Sequence, residues 1–155
     1  MMTIEEIMTF DPITLDMNAT IDQVAEIMAT HRIRHIPVVD KSNKLIGLLT
    51  QRDLLAASSS ANRPVAVADF MRKKVTSVDE NTELRSAAIE MQKAKIGCLP
   101  VLRDEKLIGI ITDSDYVGLA INLLEQFESM DPQELDEDLD DFGDESIYVE
   151  DDNDI

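Results

Sequence analysis

Apolar and polar positions along this chain fall into two rounds of one pattern. Between Thr20 and His31, the residues Ile21, Val24, Ala25, Ile27 and Met28 recur at helical spacing, which predicts a helix with one buried face. Two apolar runs follow, Ile36-Pro37-Val38-Val39-Asp40 and Leu45 to Thr50, separated by the polar turn Lys41-Ser42-Asn43. They predict a hairpin, with Pro37 near a strand start where a missing N–H is tolerable. A helix from Gln51 to about Ser58 closes the round. Ahead of it, Thr3 to Met8 reads as a short helix with Thr3 as N-cap and Glu6 three residues on. Asp11-Pro12 breaks that helix, and Ile13-Thr14-Leu15 reads as a short strand.

Ser58 to Pro64 is polar, small and without periodicity, so it reads as a linker. The order then returns. Val67 to Met71 is the short helix, Val75 to Val78 the strand, and Thr82 caps a helix carrying Leu84, Ala88 and Met91. Leu99-Pro100-Val101-Leu102, the turn Arg103-Asp104-Glu105 and Leu107 to Thr112 repeat the hairpin. The last helix, Asp113 to about Phe127, carries an apolar stripe of Tyr116, Ala120, Leu123, Leu124 and Phe127. That stripe reads most simply as core, and its extra length is also available to a partner.

At an offset of 63, Met8/Met71, Asp16/Asp79, Asn18/Asn81, Ala25/Ala88, Met28/Met91, Ile33/Ile96, Pro37/Pro100 and Val38/Val101 are identical pairs. The strongest echo is Lys44-Leu45-Ile46-Gly47-Leu48-Leu49-Thr50-Gln51-Arg52-Asp53. It returns as Lys106-Leu107-Ile108-Gly109-Ile110-Ile111-Thr112-Asp113-Ser114-Asp115, with six of ten positions identical. Each copy is an apolar strand running into a helix start, with Thr at the N-cap and Asp three residues on. Such a start offers free N–H groups and a partial positive charge, a seat for an anion such as phosphate. One copy alone is a capped helix; two copies are a fold signature first and a ligand signature second. A unit of about 60 residues is marginal for burying its own apolar faces, so two units packed with pseudo-twofold symmetry are expected.

Charge divides the chain differently. The net charge is −18, but residues 1–127 carry only −4, while residues 128–155 carry −14 and no Lys or Arg. The expected organisation is a first motif over 1–57, a linker over 58–66, a second motif over 67–127 and an acidic tail over 128–155, disordered or loosely docked. The absence of a basic face argues against nucleic acid as a partner. A calcium loop starting at Asp138 fails, because the fifth position is Phe142 and the twelfth Val149. The single Cys98 allows no intramolecular disulfide. The opening Met-Met-Thr-Ile-Glu-Glu resembles no signal peptide and no apolar run suits a membrane span, so a cytoplasmic protein without a membrane partner is expected. His31 and His35 stand four apart, but without a third ligand nearby they make no metal site. No nucleophile elbow, P-loop or dinucleotide fingerprint occurs, so the expectation is that the chain is not an enzyme.

The doubled pattern of Met-x5-Thr/Ser-h-Asp, amphipathic helix, h-Pro-Val-h and Leu-Ile-Gly-h-h-Thr-x-x-Asp resembles a pair of CBS motifs, the Bateman module, over residues 4 to about 127. The resemblance implies an α+β fold, each motif a short helix followed by β-α-β-β-α, with two clefts related by a pseudo-twofold axis. It implies a homodimer, and clefts that bind an adenosyl ligand: AMP, ADP, ATP or S-adenosylmethionine. By the same resemblance, Ile13, Thr14 and Ile36 would wall the base in the first motif, with Thr50 at phosphate and Asp53 at ribose. In the second motif Thr76, Ser77 and Leu99 would wall the base, with Thr112 and Asp115 in those roles. Pro37, Pro100 and Cys98 belong to the same segments. The segment His31-Arg32-Ile33-Arg34-His35 is basic where the second copy reads Lys95-Ile96-Gly97-Cys98, so phosphate charge is expected mainly on Arg34, His35 and Arg52, with Asp113 repelling it. A ligand-sensing module that signals to an unknown protein partner is the leading expectation. The alternative is a dimerisation scaffold with empty clefts, whose acidic tail binds a basic partner.

Overall fold

Reciprocal caps start the first repeat's helices. The computed structural model describes residues 1–130, so the expectations for the acidic run from 131 on lie outside the described residues. A 3-10 turn at Ile4–Glu6, where Thr3 N–H donates to Glu6 Oε1 at 3.1 Å, leads into β1 (Thr9–Phe10). α1 (Ile21–His31) starts at Thr20, whose Oγ1 accepts from Gln23 N–H at 3.2 Å, while Gln23 Oε1 accepts from Thr20 N–H at 2.9 Å. β2 (His35–Val39) and β3 (Leu45–Thr50) form the antiparallel hairpin, and α2 (Gln51–Ser58) follows. The second repeat supplies a 3-10 turn at Val67–Asp69, β4 (Val78–Asp79), α3 (Leu84–Ala94), β5 (Cys98–Arg103), β6 (Lys106–Thr112) and α4 (Asp113–Ser129). Arg32 ends α1 and Lys95 ends α3, both left-handed (φ 53° and 54°), at equivalent positions of the repeat.

Several expectations need correction. Ile13-Thr14-Leu15 is not a strand. Only Leu15 pairs, its N–H donating to Pro37 O at 2.9 Å and its carbonyl accepting from Val39 N–H at 3.1 Å. Its equivalent, Val78, begins β4, so the second strand lies later than Val75 to Val78. Context overrides strand propensity here, because Ile13 and Val75 pass along clefts instead of beside a strand. β1 was not foreseen. The cap of α3 is Glu83, the repeat equivalent of Thr20, while Thr82 uses its carbonyl to accept from Ile4 N–H at 3.0 Å. Asp104 and Glu105 form the second hairpin turn with both φ positive (50° and 66°), as a tight two-residue connection requires. The apolar stripe of α4 is not core: the helix holds no buried residue, and Ile121 and Leu124 are half-exposed. Periodicity reports an apolar face, not what covers it. Met1–Val117 forms one compact unit, and the described residues from Gly118 to Met130 fall outside it.

Strand pairing crosses between the repeats. The four-stranded sheet runs β1-β6-β5-β4, so β1 of the first repeat edges the second repeat's hairpin, with Thr9 opposite Ile110 and Phe10 opposite Gly109. The reciprocal exchange is shorter: Leu48 and Arg72 trade N–H···O bonds of 2.9 Å, placing the second repeat's entry segment beside β3. Gly47 and Gly109 make this crossing possible. A Cβ on Gly47 would lie 2.5 Å from Met71 Sδ and 3.1 Å from Arg72 O; one on Gly109 would lie 2.7 Å from Met8 Sδ and 3.0 Å from Thr9 O. Each methionine thus crosses the other repeat's glycine. The core follows the exchange, since Val67, from the second repeat, is fully buried with Val24, Ile36, Val38 and Leu49 of the first.

Candidate functional site: two clefts between the repeats

Because each entry segment lies on the other repeat's hairpin, the start of one repeat's last helix faces the other repeat's connection. Two clefts result. The first, of about 370 Å³, takes Thr50, Gln51 and Arg52 from the start of α2 and Arg72, Lys74, Val75 and Thr76 from the second repeat's entry. Lys95, Ile96, Gly97 and Cys98, between α3 and β5, complete it with Arg34 and His35. The second, of about 310 Å³, takes Thr112, Asp113 and Ser114 from the start of α4 and Thr9, Asp11, Pro12 and Ile13 from the first repeat's entry. Arg32, Ile33, Arg34 and His35 complete it. Position by position these are repeat equivalents. The helix starts are tethered alike, Gln51 N–H to Arg34 O at 2.8 Å and Asp113 N–H to Gly97 O at 3.0 Å.

The clefts are therefore composed crosswise. Ile13 lies with Thr112, and Thr76 lies with Thr50, where the motif-by-motif reading paired Ile13 with Thr50 and Thr76 with Thr112. The physical reason is the strand exchange. Of the residues expected to wall the base, Ile36, Pro37, Leu99 and Pro100 are buried in the core and line neither cleft, nor do Thr14 and Ser77. Cys98 lines the first cleft. Burial, then the nearby Asp113, pushes its thiol up to about 12, so it is a small protonated packing surface rather than a nucleophile.

Neither Asp53 nor Asp115 lines a cleft; each sits in the first turn beneath one and closes a cap. Thr50 N–H and Oγ1–H donate to Asp53 Oδ2 at 3.1 and 2.8 Å, and Asp53 N–H donates back to Thr50 Oγ1 at 3.2 Å. Arg72 Nε also donates to both Asp53 oxygens, at 3.1 and 3.3 Å. Asp115 Oδ2 accepts from Thr112 N–H at 2.8 Å and Oγ1–H at 3.3 Å. The repeat equivalent of Arg72 is Thr9, so Asp115 has no counterpart of that cation.

Arg72, Lys74 and Lys95 are cleft residues that the sequence reading passed over. The signal was present: Arg72-Lys73-Lys74 occupies the positions of Thr9-Phe10-Asp11, so charge enters where the repeat otherwise holds. His35 lies between the clefts, its ring against Gly97, where a Cβ would stand 2.9 Å from Nε2. Burial holds its pKa below the ordinary 6.5; Asp113 pulls it up, and Arg34 and Arg72 push it down. Asp113 lines both clefts, so its charge reaches the first as well as the second.

The family model described as CBS domain matches residues 4–60 and 67–121. The chain belongs to the CBS-domain family. Among solved structures, it is 46% identical to a Vibrio cholerae protein assigned to acetoin utilization (AcuB), over 85% of this chain and 99% of that one, with a TM-score of 0.76. It is 31% identical to the CBS domain pair of protein MJ0100 in complex with 5′-methylthioadenosine and S-adenosyl-L-methionine (76% and 98% covered, TM-score 0.71). It is 27% identical to CBSX2 in complex with AMP (78% and 97% covered, TM-score 0.72). Several curated relatives are longer: the chain spans 23% of the L-aspartate semialdehyde sulfurtransferase of Methanocaldococcus jannaschii, with 32% identity over 117 residues. Among the described residues, no helix is long and apolar enough to cross a membrane.

Proposed function

We propose that this CBS pair is a regulatory ligand-sensing module that takes an adenosyl ligand in the clefts between its repeats. The observation that carries the reading is the pair of pseudo-symmetric clefts, each opening over a helix start at which a Thr donates to the Asp three residues on. Such a start complements an anion or a hydroxyl-rich ribose. The AMP complex of CBSX2 and the 5′-methylthioadenosine and S-adenosylmethionine complex of MJ0100 support the ligand class. A ligand spanning a cleft touches both repeats, so it favours one packing of the repeats over another by its differential affinity. A homodimer or a protein partner would read that change. The module itself performs no chemistry in this proposal.

Thermal unfolding with AMP, ADP, ATP and S-adenosylmethionine tests it. A ligand that binds only the native state at about 100 times its Kd adds roughly 2.7 kcal/mol, a clear rise in Tm. The rise should vanish for at least one ligand in Arg52→Glu or Ile13→Trp. No rise with any adenosyl compound would sink the sensing reading and leave the scaffold alternative.

A further inference from the structure

We propose that the two clefts divide the ligand class by charge: the first takes a nucleoside polyphosphate, the second a nucleoside whose 5′ substituent carries no phosphate. This rests on the adenosyl-sensing reading and assigns what that reading leaves open.

The backbone of the two clefts is equivalent, and the charges are not. The first cleft collects Arg34, Arg52, Arg72, Lys74 and Lys95 against the single carboxylate Asp113. The second collects Arg32 and Arg34 against Asp11 and Asp113. At repeat-equivalent positions, Arg72 becomes Thr9, Lys74 becomes Asp11 and Arg52 becomes Ser114. A concave wall of like charge concentrates counter-charge, so a triphosphate is drawn to the first cleft, where each phosphate meets a guanidinium or ammonium. In the second, Asp11 and Asp113 offset the two arginines, and Asp113 stands at the helix start where a phosphate would seat. An uncharged or cationic 5′ group avoids that repulsion.

The carboxylates beneath the clefts divide the same way. Asp53 is neutralised by Arg72 at 3.1 Å, so it does not repel phosphate in the first cleft. Arg72 spends Nε on that carboxylate, and a guanidinium has four further N–H donors for a ligand oxygen. Among the described residues Asp115 is paired with no cation, so the carboxylate at this helix start keeps its charge and adds to the repulsion a phosphate meets at the second cleft. In the first cleft the phosphates anchor the ligand; in the second a phosphate is turned away.

Isothermal titration calorimetry on the full chain tests this, with metal-free ATP and 5′-methylthioadenosine as probes, singly and in competition. The expected result is one site for each probe and no mutual displacement. Lys95→Glu should lower the ratio of ATP to 5′-methylthioadenosine affinity by about tenfold or more, and Asp11→Asn should raise it by a few fold. Asn tolerates the left-handed backbone that Asp11 adopts (φ 45°). With the unmodified chain, ATP affinity should fall steeply with added salt and 5′-methylthioadenosine affinity should not, a readout that needs no variant. Mutual displacement from one site, or a ratio unmoved by Lys95→Glu, overturns the division and leaves adenosyl sensing standing. No binding by either probe overturns both.

Discussion

The two repeats share a backbone and differ in what they hang on it. Hairpin register, left-handed helix stops, the Thr-Asp cap and the glycine–methionine crossing recur at equivalent positions. The cleft charges do not recur: Arg52, Arg72 and Lys74 stand where the other cleft has Ser114, Thr9 and Asp11. Fold here is a property of what the repeats keep, and cleft charge a property of where they diverge.

The largest effects should come from what is kept. Gly47→Val and Gly109→Val each force a side chain into the crossing strand, and Gly109 meets backbone at 3.0 Å. Each should cost about 1–3 kcal/mol in chemical denaturation, with similar values if the crossing is equally important on both sides. A cost near zero at either glycine would break the symmetry claimed for the fold. Next come the caps. Thr50→Ala, which removes the oxygen that accepts from Asp53 N–H, should lose about 1 kcal/mol, and Thr112→Ala, whose Oγ1 only donates to Asp115 at 3.3 Å, should lose less. Asp53→Ala also strips Arg72 of its partner at 3.1 Å, on a half-exposed side chain, so that added loss should be under about 1 kcal/mol.

The smallest effect is a pH dependence seated in the shared wall. The pKa of His35 is lowered in the fold, so between that value and 6.5 the unfolded chain binds more protons than the native one. Its contribution to stability is therefore complete above pH 6.5 and is lost as pH falls through that window. His35→Asn should flatten the slope of unfolding free energy below pH 6.5, and an unchanged slope would remove His35 as its source. Bound phosphate would favour the imidazolium, so ATP should bind more tightly as pH falls through the same window.

Much of this was legible in the chain, for a physical reason. Thr3 with Glu6 and Thr50 with Asp53 are local devices, and local geometry reads from spacing. Leu45 to Thr50 and Leu107 to Thr112 read as strands because apolar runs between turns have few other uses. The misses are contacts distant in sequence. Nothing in Thr9–Phe10, both exposed, announces pairing with β6, and that pairing decides which Thr faces which connection. A motif-by-motif reading consequently put Ile13 beside Thr50. The apolar stripe of α4 was legible as a stripe, whereas its exposure was not.

The crosswise cleft is the central claim, and amide chemical shifts during an ATP titration test it most directly. The account predicts that Arg52, Thr76 and Ile96 amides move together, with one midpoint, ahead of Ile13, Thr112 and Ser114. If Thr76 instead moves with Thr112, or Ile13 with Thr50, the clefts are built within repeats and the account is wrong.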